Sequence, residues 1–233
     1  MRNVSAWFFL AFFITLGSTG AASALIIEDT YWGSEDHGWG DRIGDSSYEV
    51  YNMDVAISSN YLNVRVNTNF DASVDSYGVD FGDLFISTNG WNPYGAAPYA
   101  SDNALTGEAW EFVFDTDEAM LYGGEFSILQ SDDLLDASRY IFRNGQEVQR
   151  GTGGTALAGS SVALSNAGAE GYIEYNILLS SLGTISGDIG LKWGMTCAND
   201  TIEAAVPVSV PEPGTLLLFC IGLLGMVRTV RKF

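Results

Sequence analysis

From Leu62 to Phe70, apolar or small side chains alternate with polar ones without a break. Leu62, Val64, Val66, Thr68 and Phe70 take one side, and Asn63, Arg65, Asn67 and Asn69 take the other. Successive side chains of a strand point to opposite faces, so this run reads as a half-buried β-strand. Shorter runs of the same kind occupy 48–57, 79–87, 110–115, 120–129, 171–178 and 189–196. In one of them Trp110, Phe112 and Phe114 share a face against Glu111, Val113 and Asp115. Asn60, Asn89-Gly90, Gly123-Gly124, Asn144-Gly145 and Gly153-Gly154 punctuate the runs as turns. Residues 132–137 suggest one short helical turn, and 151–171 read as a small-residue loop or weak strands. The expected fold is all-β, an antiparallel β-sandwich with jelly-roll winding.

The two ends of the chain follow different rules. Arg2 precedes an apolar run from Trp7 to Leu16, then small residues, then Ala22-Ser23-Ala24. That order is a secretory signal, with Ala22 and Ala24 marking a cut before Leu25. At the other end, Pro211-Glu212-Pro213 stands before an apolar stretch that closes on Arg228, Arg231 and Lys232. Prolines neither continue a strand nor sit inside a helix, so this segment is extended. The stretch from Thr215 to Val230 is about 24 Å long as a helix. That is short for a membrane core of about 30 Å, but Arg228 can snorkel. Basic residues after a span favour a cytoplasmic C-terminus, which leaves the middle of the chain outside. The expected organisation is a signal peptide at 1–24, a β-sandwich ectodomain at 25–205, and linker, transmembrane helix and basic tail at 206–233.

Tripeptide, span and basic end together resemble the PEP-CTERM sorting domain of Gram-negative bacteria, over residues 210–233. The resemblance implies that an exosortase recognises Pro211, Glu212 and Pro213 and cuts near them. It also implies an inner-membrane-anchored precursor that passes to the cell surface or an extracellular matrix, often alongside exopolysaccharide. Residues 31–44, 82–91 and 193–203 further resemble a group of PEP-CTERM proteins that carry no known chemistry. More loosely, the strand order is similar to that of jelly-roll carbohydrate-binding modules, an analogy of fold alone.

Charge narrows the partners. The chain holds 29 acidic and ten basic residues, for a net charge of -19. Arg2, Arg228, Arg231 and Lys232 are terminal, so six basic residues serve everything between. Such a surface repels nucleic acid and suits divalent cations. For calcium the candidate ligands are Asp36, Asp41, Asp80 and Asp83, in the groups Asp36, Asp41 and Asp45, and Asp80 and Asp83. Asp102 with Asn103, and Asn199 with Asp200, are further acid and amide pairs. None has EF-hand spacing, and Asp and Asn also favour turns without metal.

A catalytic site is not expected. His37 is the single histidine, and no G-x-S-x-G elbow accompanies it. The two cysteines lie in different environments, Cys197 in the acidic region and Cys220 in the apolar tail. Neither a disulfide framework nor a CxxC metal site is present. A glycosidase acting on exopolysaccharide would need two carboxylates, with Glu108, Glu111, Glu125 and Glu174 as candidates. The alternative is binding, with aromatic rings for the apolar faces of sugars and amides for their hydroxyls. Trp32, Trp39, Trp91 and Tyr94 fall in loop-like stretches, and Asn63, Arg65 and Asn67 line one strand face. The reading is therefore an exported surface or matrix protein, non-catalytic, that binds extracellular polysaccharide or serves a structural role. A calcium-stabilised structural protein is a further alternative.

Overall fold

Alternation along 61–68 is realised in full, for the burial of that strand switches at every residue. The computed structural model describes residues 23–33, 40–58, 60–73, 77–136, 141–165 and 171–208. The strands are β1 (Ser23–Glu28), β2 (Val50–Ile57), β3 (Tyr61–Thr68), β4 (Leu84–Ser87), β5 (Phe112–Asp115), β6 (Met120–Gln130), β7 (Glu147–Leu157), β8 (Ser161–Ser165), β9 (Gly171–Leu178), β10 (Ile189–Gly194) and β11 (Thr201–Val206). One sheet has the order β1-β2-β3-β9-β8, and the other β11-β10-β4-β5-β6-β7. All pairs are antiparallel. The expected sandwich is present. Its chain runs in meanders, β1 to β3 and then β4 to β7, so jelly-roll winding is not among the features these strands display.

Cross-strand register sets the core between the sheets. Val64 lies opposite Val55 on one side and Tyr175 on the other, and all three are buried. From the second sheet Leu191 and Ile86 lie opposite each other, and Trp193 lies opposite Ile202. The two sheets meet where the Trp193 indole N–H donates to the Tyr175 hydroxyl at 2.9 Å. The Phe114 ring meets the Tyr175 ring edge-on at 5.4 Å. Each fully buried large apolar side chain contributes about 1.5–3 kcal/mol.

The second sheet is covered on both faces. Strands β4 and β10 are buried at every position. On the face away from the first sheet, Phe85 and Val113 pack with Trp110, and Tyr122, Phe126 and Ile128 lie against them. Gly82 makes that cover possible. A Cβ there would meet the carbonyl oxygens of Gly194 at 2.2 Å and Val148 at 2.6 Å. With only hydrogen, the Gly82 N–H donates to Gly194 and the Asp83 N–H to Val148. The start of β7 is thus drawn back beside β4, which carries Glu147 toward the buried face of β10.

Four expectations are refined. The small-residue stretch 151–171 contributes the end of β7 and all of β8, with register shifts between β6 and β7. The helical turn is a single turn at Ser131–Leu134, one residue earlier than expected. The boundary expected after 205 falls inside β11, which ends at Val206, and the compact unit continues to Pro207. The cut expected before Leu25 falls inside β1, with Leu25 to Glu28 of that strand following it.

Replacing Tyr175 by Phe leaves the buried Trp193 N–H without an acceptor. We expect Tyr175→Phe to cost about 1–3 kcal/mol in chemical denaturation, and Tyr61→Phe on the exposed face to cost less than about 0.5 kcal/mol. Equal midpoints for wild type and Tyr175→Phe would contradict this account of the inter-sheet contact.

Candidate functional site

Three groups of polar side chains stand out: a face of the first sheet, a buried lysine, and a knot of carboxylates beside β1 and β11. Strand pairing brings Asn63, Arg65 and Asn67 onto one face with Asn52, Asp54, Tyr172 and Glu174. Arg65 Nε donates to Glu174 at 2.9 Å, and its guanidinium lies 4.2 Å from the centre of the Tyr172 ring. The Asn67 amide donates to Asn52 at 2.6 Å and to Asp54 at 3.0 Å. The sequence-predicted face is therefore real, and its groups already bond one another.

Lys192 is 1% exposed, on the covered face of β10. Its ammonium donates to Gln146 and Glu147, both at 2.7 Å, and pairs with Glu203 at 3.1 Å. Burial works against the charge, but Glu147 and Glu203 outweigh it and hold the Lys192 ammonium above its ordinary value. Around this centre the Trp91 N–H donates to Glu203 at 2.8 Å and the Trp110 N–H to Glu147 at 3.3 Å. The Tyr31 hydroxyl donates to Asp102 at 3.0 Å. Burial, with Glu147 and Asp102 adding, pushes the Glu203 carboxyl up to about 7 against the pull of Lys192. All three donors of the lysine are used, which describes an anchor for the surrounding loops.

The tryptophans expected to meet a ligand divide accordingly. Trp91 is half-buried, tied to Glu203, and edge-on to Tyr99 at 5.3 Å. Trp32 is half-buried, and its backbone N–H donates to the Pro98 carbonyl at 2.9 Å. Tyr94 is 54% exposed. Trp39, Asp36 and His37 lie outside the described residues, as do the sorting tripeptide Pro211, Glu212 and Pro213 and the residue Ala22.

The carboxylates expected in hydrolysis are mostly engaged. Glu108 accepts from Ser87 at 3.2 Å and from the Asn92 N–H at 2.6 Å. Glu111 accepts from the Thr88 N–H at 2.9 Å and from Asn89 at 2.6 Å. Glu174 is paired with Arg65. Glu125 is exposed and, with Glu111, borders a groove of about 550 Å³ over Trp110, Phe112 and Phe126.

Of the expected calcium ligands, Asp83 is committed elsewhere. One of its oxygens accepts the Thr116 N–H at 2.8 Å and the other the Arg150 N–H at 2.7 Å. Burial raises its carboxyl to about 7 even so, the two amides opposing the shift and Asp115 and Asp117 adding to it. Asp80 is exposed and accepts the Phe81 N–H at 2.8 Å. Asp45 caps a 3-10 turn through Ser47.

Asp41 belongs to a different set. One oxygen each from Asp29, Asp41 and Asp200 lies within 4.8 Å of the other two. Asp29 follows β1, Asp41 sits in the following loop, and Asp200 ends the turn from β10 to β11. That turn is shaped by Ala198 at φ 49°, whose N–H donates to Met195 at 2.8 Å. It is held to its neighbours by the Ile43 N–H on the Asn199 carbonyl at 2.7 Å and by the Val50 N–H on Asp200 at 2.7 Å. Arg143 crosses behind, donating to the carbonyls of Gly33 at 3.1 Å, Gly40 at 2.7 Å and Asp41. Burial raises the Asp29 carboxyl well above the ordinary range, with the charges of Asp200 and Asp41 adding. Burial raises Asp200 likewise, against the bond from Val50. Asp29 was the residue missed in the sequence. It stands far from its partners along the chain, after an ordinary strand, and carries no motif.

A family model described as the PEP-CTERM protein-sorting motif matches residues 209–232. No curated protein and no solved structure matches the chain. The chain therefore carries a PEP-CTERM sorting signal, which implies export, membrane association, processing by an exosortase and sorting to the surface. Among the described residues, no helix is long and apolar enough to cross a membrane, and the expected span at 215–230 lies outside them.

The raised carboxyls have a consequence for stability. Asp83 and Glu203 keep protons in the folded chain up to about pH 7, whereas the unfolded chain releases them near pH 4. The folded state then binds more protons across that window, so their contribution to stability falls as pH rises from about 4 to 8. We expect Glu203→Gln to flatten the difference in melting temperature between pH 5 and pH 8. An unchanged difference in this variant would show that Glu203 does not titrate in that window.

Proposed function

We propose that this carrier of a PEP-CTERM signal delivers a non-catalytic β-sandwich to the bacterial cell surface, where the polar face of β2, β3 and β9 contacts neutral polysaccharide. One observation supports the contact most: Asn63, Arg65 and Asn67 share that face with the Tyr172 ring. Planar amides and a guanidinium match sugar hydroxyls, and an aromatic ring matches the apolar side of a sugar. The net charge of -19 disfavours anionic polymers and so points to uncharged ones. The non-catalytic reading rests on Glu108 and Glu111, whose oxygens accept from backbone amides and from Ser87 and Asn89, and on Glu174, one oxygen of which is held by Arg65.

Affinity electrophoresis of the full chain in detergent, through gels containing neutral matrix polysaccharide, tests this reading. Wild-type protein should be retarded, and Arg65→Ala with Tyr172→Ala should lower the apparent affinity about tenfold or more. Wild-type migration unaffected by any such polymer would contradict the polysaccharide contact while leaving the sorting signal in place.

A further inference from the structure

The knot beside β1 and β11 gathers buried oxygens that no well-placed protein donor reaches, and the Nε groups of Arg42 and Arg143 are left unpaired near them. Both oxygens of Asp29, and one each from Asp41, Asn199 and Asp200, are buried without a hydrogen bond of good geometry, although the Tyr31 N–H and the Asp200 carboxyl lie close to Asp29. The hydroxyl of Thr201, next in the chain, is in the same condition. Asn199 is 5% exposed and Asp200 0% exposed, so solvent does not make up the deficit. A buried polar atom without a partner is costly, and three carboxylates that converge from three segments with such oxygens are not explained by turn chemistry.

We propose that Asp29, Asp41, Asn199 and Asp200 form a buried site for one divalent cation, and that the ion is calcium. Geometry comes first. Ligand oxygens around calcium lie 2.3–2.6 Å from the ion, so any two of them are at most about 5 Å apart. The three carboxylates meet that limit, with their atoms within 4.8 Å of one another. Charge comes second. Three carboxylates face Arg143, while the neighbouring Arg42 is occupied by Glu49. With all three carboxylates ionised the set would carry two negative charges in excess of Arg143, which one dication balances. Arg143 supplies charge and ties the loop carbonyls, but its hydrogen bonds go to Gly33, Gly40 and Asp41 backbone oxygens rather than to the carboxylates.

Ligand chemistry decides among cations. All five orphaned carboxylate and amide oxygens are hard donors, which suit calcium or magnesium rather than zinc. Magnesium is small and keeps several waters, whereas a buried cage of protein oxygens suits calcium. A proton shared between Asp29 and Asp200 is the competing account. It would relieve that pair but would leave Asp41 and Asn199 without partners.

The test is calcium titration of the full chain in detergent after removal of metal by chelation, read by calorimetry and by thermal unfolding. The expected result is one calcium per chain and a melting temperature raised by roughly 5 °C or more at millimolar calcium, with magnesium at least about tenfold weaker. Asp41→Asn should lose most of the calcium response while keeping its circular dichroism spectrum, and Asp80→Asn should keep it. Asp29→Asn serves as a second variant, since neither of its oxygens makes a protein hydrogen bond of good geometry. A folded, metal-free chain that takes up no calcium would overturn the proposal. So would stoichiometric binding that persists unchanged in both Asp41→Asn and Asp29→Asn, because the ion would then lie elsewhere.

Discussion

Six basic residues between the ends of the chain must serve a region that holds nearly all of its acids, and the polar architecture follows from that scarcity. Each basic residue that the structure describes there is committed. Arg42 pairs with Glu49, Arg65 with Glu174, Arg150 with Asp115, and Lys192 with Glu147 and Glu203. Arg143 is spent on loop carbonyls. An acid buried beyond their reach needs another donor. Asp83 finds two backbone amides, and Asp200 finds one for a single oxygen. Asp29 finds no hydrogen bond of good geometry for either oxygen.

Lys192 and the carboxylate knot resolve this scarcity in different ways, and both hold loops rather than present reactive groups. The lysine gathers Gln146, Glu147 and Glu203, and through the two glutamates fixes Trp91 and Trp110. The knot draws on Asp29 after the first described strand and on Asp200 before the last. β1 is the edge of one sheet and β11 the edge of the other, so an ion among these residues would clasp the two edges of the sandwich together. β11 leads, through Pro207, toward the sorting motif at residues 209–232.

Much of this was legible in the sequence, wherever one face of an element carries the whole signal. The 62–70 alternation gave β3 and, with it, the shared face of Asn63, Arg65 and Asn67, because period-2 patterning needs no knowledge of partners. Pro211-Glu212-Pro213, the apolar stretch and the basic end likewise sit together in one segment. Trp91 is harder: a tryptophan in a loop looks the same whether its ring meets a sugar or its N–H meets a buried glutamate. Trp110, which alternation groups with Phe114, instead packs with Phe85 and Val113 while Phe114 meets Tyr175, because it precedes the paired part of β5. Strand β11 carries no clear signal, because Glu203 breaks its apolar pattern until Lys192 opposite it supplies the reason for its burial. Asp83 was read as a ligand because nothing local announces that two amides will claim both its oxygens. Asp29 and Asp200 meet only through sheet topology, which no spacing rule contains.

The central claim is that a divalent cation completes the carboxylate knot. The most direct measurement is a crystal structure of the protein grown with calcium, with anomalous diffraction used to locate the ion. The account predicts one anomalous peak about 2.3–2.6 Å from oxygens of Asp29, Asp41 and Asp200, with the Asn199 amide oxygen turned toward it. The same carboxylates found together around a water, or in contact through a shared proton, with no anomalous peak between them, would contradict it.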